Sequence, residues 1–136
     1  MVLAVFVLGL LGTGIELLFL EHTNGWSQLI PIVLMVMSLL VLGWHAFEKK
    51  SASLITFRIT MVLWLAAGIL GTILHYQANE EFELEADPKM KGMDLLSKAL
   101  TGAAPALAPG AMVQLGLLGL VYTFRHPAFE QESKEE

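Results

Sequence analysis

The sequence predicts an all-α membrane protein folded as a bundle of four transmembrane helices, and three observations carry that expectation. The 136-residue chain is 55% hydrophobic and only 15% charged, with a mean hydropathy of +0.64, too apolar for an ordinary soluble domain. Four apolar runs each approach the roughly 20 residues that a helix needs to cross the hydrocarbon core. The charged residues gather in the short stretches between those runs and in the tail. One domain is expected over residues 1–127, followed by a charged cytoplasmic tail at 128–136.

The first run, residues 2–20, lacks the basic lead and small-residue cleavage site of a secretory signal, so it reads as a retained span. A short turn, Glu21 to Ser27, leads to the second run at about 28–47. A basic turn, Glu48 to Ser53, leads to the third at about 54–76. An acidic segment, 77–102, separates it from the fourth at about 103–124, where Gly102, Pro105 and Pro109 predict a bend.

Lys49, Lys50 and Arg58 flank the second turn and Arg125 follows the fourth run. The positive-inside rule then puts both termini and that turn in the cytoplasm and the acidic segment outside, as in a bacterial inner membrane. Lys89, Lys91 and Lys98 in the acidic segment, whose six carboxylates give it a local net charge of -3, oppose this assignment. Within that segment Glu81, Glu83 and Glu85 alternate with Phe82, Leu84 and Ala86, a period of two that predicts a short extended piece. Leu95, Leu96, Ala99 and Leu100 have the spacing of a short interfacial helix.

An internal repeat is also legible. Gly9-Leu-Leu-Gly12-Thr13-Gly-Ile-Glu16 in the first run aligns without a gap with Gly68-Ile-Leu-Gly71-Thr72-Ile-Leu-His75 in the third. His45-Ala-Phe-Glu48 likewise corresponds to His126-Pro-Ala-Phe-Glu130. The pattern fits a 2+2 duplication with an axis along the membrane normal, although common glycine and leucine would also produce it by chance. Gly9, Gly12 and Thr13, and Gly68, Gly71 and Thr72, each share a helix face with the ionisable residue that follows, as a helix-packing seam requires.

Glu16 is the one carboxylate inside a predicted span. A central carboxylate costs about 2.5–3.5 kcal/mol to insert, less near the interface, so it is expected to face the bundle and find a partner. His75 stands at the equivalent place, and the expected pair is a proton- or cation-binding site with Glu21, His22, Tyr76, Asn79 and Glu80 at its outer mouth. Glu16, His75 and His22 could also supply nitrogen and oxygen ligands to a divalent metal ion, although no compact metal motif occurs. A metal-dependent membrane enzyme at the same place is the alternative. A b-type haem is the weaker one, because His22 lies in a turn and His126 precedes Pro127.

Two polar residues fall in mid-span, Ser38 and Gln114, the latter expected to make an interhelical hydrogen bond. They are too few for a pore within one chain. Homo-oligomerisation, or service as an accessory subunit of a larger membrane protein, needs only the packing faces and the acidic surface. The absence of cysteine excludes thiol and disulfide chemistry. A net charge of -5 without a dense basic cluster excludes nucleic acid as a partner.

Overall fold

The structure, a computed structural model, describes residues 1–21 and 25–129. It is helical throughout, with no strand among the described residues: α1 (Val2–Phe19), a 3-10 turn (Trp26–Leu29), α2 (Ile30–Glu48), α3 (Ser51–Ala86), α4 (Gly92–Thr101) and α5 (Gly110–Thr123). Three segments are long and apolar enough to cross a membrane: Val2–Phe19, Trp26–Glu48 and Ser51–Ala86.

Local chemistry sets the helix ends. Pro31 lies in the first turn of α2, where its missing N–H has no intrahelical partner to lose. Lys49 closes α2 in the left-handed conformation, its N–H donating to the His45 carbonyl at 2.8 Å. Lys50 then returns to extended backbone and α3 starts at once, so the α2–α3 connection is among the tightest a helical hairpin allows.

α3 departs from the expected third span. It runs for 36 residues, about 54 Å at 1.5 Å per residue, well beyond a hydrocarbon core of about 30 Å. The extended piece expected at 81–86 is its last turn and a half. Residues 77–86 contain no glycine or proline, and Glu, Leu, Gln and Ala are strong helix formers that override a short alternation. Asp87-Pro88 stops the helix, because a residue before proline is disfavoured in the α region, and Asp87 is extended at φ -139°, ψ 92°. α4 then folds back along the end of α3, and Lys98 pairs with Glu83 at 3.3 Å.

The fourth expected span, 103–124, also differs. Residues 105–112 carry i→i+3 hydrogen bonds, among them Ala108 N–H to the Pro105 carbonyl and Met112 N–H to the Pro109 carbonyl. The regular helix begins only at Gly110. Its 14 residues rise about 21 Å, less than a full hydrocarbon core. The two prolines, which cannot donate to a preceding turn, delay it.

The core lies where α1, α2, α3 and α5 meet, around Phe6, Leu10, Met35, Phe57, Met61, Trp64 and Leu115. Glycine makes the α3–α5 approach close. A Cβ on Gly68 would stand 2.9 Å from the Pro109 carbonyl oxygen, and one on Gly116 would stand 2.9 Å from the Met61 carbonyl oxygen. Such backbone proximity is the main source of attraction between apolar helices where lipid removes the hydrophobic drive. At mid-height the Trp64 indole N–H donates to the Ser38 hydroxyl at 3.0 Å, and Ser38 donates to the Leu34 carbonyl at 2.7 Å. Ser38 is thus a buried link between α2 and α3.

Candidate functional site

The expected seam between the first and third spans is replaced by α5. Gly68 and Gly71 face Pro109 and Val113 at the start of α5, and Gly9 faces Leu115 farther along it. Thr72 turns its hydroxyl back to the Gly68 carbonyl at 3.0 Å, and Thr13 is half-buried. Gly12 is exposed, and a Cβ there would meet nothing. The two glycine octets therefore occupy unlike surroundings, one closed against α5 and one partly open.

This arrangement separates the expected ion pair. α1 touches α3 where Phe6 meets Phe57, ring centroids 5.5 Å apart, a level roughly 15 Å along the helix from Glu16. Glu16 is exposed, and its carboxylate makes no hydrogen bond or ion pair with the described residues. His75 is half-buried and bonds elsewhere: its Nδ1 lies 3.2 Å from the Pro105 carbonyl oxygen. A carbonyl only accepts, so Nδ1 carries the hydrogen, and in the neutral ring Nε2 is left as an acceptor. Nε2 has no partner among the described residues.

The other members of the expected outer site scatter as well. Glu21 is exposed in a left-handed turn at φ 48°, and Glu80 receives a long 3.5 Å contact from the Tyr76 hydroxyl. His22 lies outside the described residues. No group of three or more His, Cys, Asp or Glu able to hold a metal ion occurs among the described residues. Gln114 is exposed and its side chain has no hydrogen bond among the described residues, because α5 turns Met112, Leu115, Gly116 and Gly119 inward and Gln114 to the other side.

What the end of the bundle away from the α2–α3 turn does contain is a groove of about 700 Å³ between α2, α3 and the start of α5. Its walls are apolar along most of their length, including Leu34, Leu63, Ala66 and Leu70, and its polar members, Ser27, Gln28 and His75, sit at one end. Comparison with protein-family models, curated proteins and solved structures gives no match to this chain.

Three further groups hold the structure together in ways that differ from their expected roles. Asn79, 5% exposed, donates to the Ala99 and Ala104 carbonyls at 2.8 and 2.6 Å and accepts from the Ala104 N–H at 3.1 Å. It fastens α4 and the following turn to α3, and Gly102 leaves the space its amide occupies. Arg58, counted from sequence only as a basic residue near the second turn, donates through Nε to the Thr123 hydroxyl at 3.0 Å and through Nη2 to the Thr123 carbonyl at 2.7 Å, with the Phe129 ring centroid 4.3 Å from its guanidinium carbon. The charge thus caps the C-terminal end of α5, where the helix dipole favours a cation.

The third group is at the same end. His45 Nδ1 lies 2.7 Å from the Ser53 hydroxyl, whose own hydrogen goes to the Lys50 carbonyl at 2.7 Å, so His45 donates. Its ring stands edge-on to His126 with centroids 5.2 Å apart, and His126 meets Tyr122 at 5.3 Å. His126 Nδ1 accepts the Ala128 N–H at 3.3 Å. Burial, then the neighbouring His45, pushes the His126 imidazole below its ordinary value. The two His-containing signatures meet here; their pairing in sequence was the available clue.

Proposed function

We propose that this protein is an accessory subunit of a membrane assembly, crossing the bilayer four times with α5 as the last crossing, and that α1 is the face it offers to a neighbouring helix. The observation that carries the reading is Glu16, an exposed carboxylate on a helix of lipid-crossing length whose side chain has no partner among the described residues. Intramembrane carboxylates are normally covered by protein. One turn below, exposed Gly12 leaves an open notch on the same side of α1, the shape against which another helix packs closely.

The chemistry of α1 selects the kind of partner. Val2–Phe19 contains no Lys, Arg or His, so a symmetric α1–α1 contact would set Glu16 against Glu16. A different helix bearing a cation or an amide or hydroxyl donor at that depth satisfies the carboxylate. Binding of a proton or cation, if Glu16 performs it, draws its other ligands from that neighbour, since His75 bonds to Pro105 instead.

Orientation follows the charge. Lys49, Lys50, Arg58 and Arg125 lie toward one end and the acidic α3–α4 hairpin toward the other, and the positive-inside rule supports an orientation with the hairpin outside and both termini inside. The test is extraction into native lipid discs, followed by particle mass. The native chain is expected in a particle larger than its monomer that contains a second polypeptide. Gly12→Leu is expected to release it as a monomer with an unchanged unfolding temperature. A native chain that always runs alone would refute the assembly.

A further inference from the structure

The groove between α2, α3 and the start of α5 has the layout of a site for a membrane-soluble amphiphile rather than of a packing defect. Its volume, about 700 Å³, lies within the roughly 300–1,000 Å³ of small-molecule sites, which combine apolar walls with a few polar groups. Along α3 it extends from Leu63 to His75, about 18 Å of helix. Its polar groups are gathered at the outer end, beside exposed Trp26, where an interfacial head group would sit.

The lining also selects the head group. No Lys, Arg, Asp or Glu is among the described residues that line the groove, so a phosphate or ammonium head would enter without a counter-charge. His75 contributes an acceptor: Nδ1–H is committed to the Pro105 carbonyl and Nε2 has no partner among the described residues. A donor is therefore required. We propose that the groove binds a neutral lipid alcohol, its hydroxyl donating to His75 Nε2 and its chain lying along Leu63, Ala66 and Leu70 between α2 and α3. Isoprenoid alcohols and diacylglycerols share that chemistry.

Trp26 provides the reporter. Dibrominated octadecanol, whose bromines quench indole fluorescence, is titrated into the full chain in mixed detergent–lipid micelles beside dibrominated octadecyl phosphate. Saturable quenching by the alcohol, lost in Trp26→Phe, is expected. His75→Ala should weaken the apparent affinity about fivefold, the worth of one neutral hydrogen bond. Ala66→Phe fills the groove from an exposed position and should abolish the saturable phase while retention volume and helicity stay unchanged. Displacement by farnesol in preference to dioleoylglycerol assigns the isoprenoid class, and the reverse order assigns the glyceride.

Quenching that rises linearly with the alcohol and is equal in all variants overturns the proposal, as does a phosphate-headed chain that binds as tightly. A groove filled by a helix of a second copy would show no saturable phase and a smaller particle for Ala66→Phe. That result overturns it too.

Discussion

Asn79 sits in a helix that its own type disfavours, surrounded by charged residues, yet it is among the most buried polar groups of the chain. Its amide answers two carbonyls and one N–H of the α4–α5 connection. Asn79→Leu is expected to strand those groups at about 1–3 kcal/mol each. Limited proteolysis between residues 87 and 104 would read the result as faster cutting there, with the apolar helices intact; equal cutting rates would contradict it. At the opposite end His126 binds its proton more weakly in the folded chain than in the unfolded one, because burial and then His45 both oppose the charge. The contribution of this end is therefore complete above the ordinary imidazole value of about 6.5 and declines as the pH falls through and below it. His126→Gln should flatten that dependence, and a melting temperature that rises on acidification of the native chain would exclude the assignment. Sequence pattern marked Glu16 and His75 as unusual, but it could not say which helix each would face. Asn79 was expected at the mouth of an ion site and Arg58 only as a flanking charge, because a hydrogen-bonded role is set by tertiary partners 20 to 65 positions away.

Among the elements, α5 is the one whose neighbours the sequence least disclosed. Glycines on α3 that resembled a seam for α1 are filled by Pro109 and Val113, and Gly9 by Leu115. A sequence shows that a face is small but not what comes to rest on it. Gly68→Leu should therefore force α3 and α5 apart, a loss of about 1–3 kcal/mol or more from overpacking against backbone. Gly12→Ala should be neutral or gain up to about 1 kcal/mol from helix propensity, since nothing stands near its Cβ. Equal effects of the two on thermal unfolding in detergent would show that the seam is drawn wrongly. Arg58→Ala removes two hydrogen bonds from the α5 terminus and is expected to cost about 1.5–3 kcal/mol, read from the same transitions. The helix at 81–86 replaced an expected extended piece for a plain reason: a six-residue alternation is weak evidence beside a ten-residue run, 77–86, in which eight residues are good helix formers, ended by Asp87-Pro88.

For the molecule as a whole, hydropathy sufficed to locate three crossing segments, because length and apolarity are properties of the chain itself. The overhang of α3 and the late start of α5 required knowing where prolines and the α4 hairpin would lie. Because the chain has no cysteine, single cysteines can report its sidedness. Glu85→Cys is expected to react with a membrane-impermeant maleimide in intact cells and Lys50→Cys only after permeabilisation; labelling of both in intact cells would break the orientation. One more outcome follows from α5 bracing both α1 and α3. The first three apolar segments are synthesised before residues 110–123 exist, so in the growing chain the notches at Gly9, Gly68 and Gly71 stand unfilled until translation reaches their wedge. The bundle is then locked from its last-made helix, and a chain interrupted before Gly110 would linger in the bilayer as three loosely held segments, open to quality-control proteases.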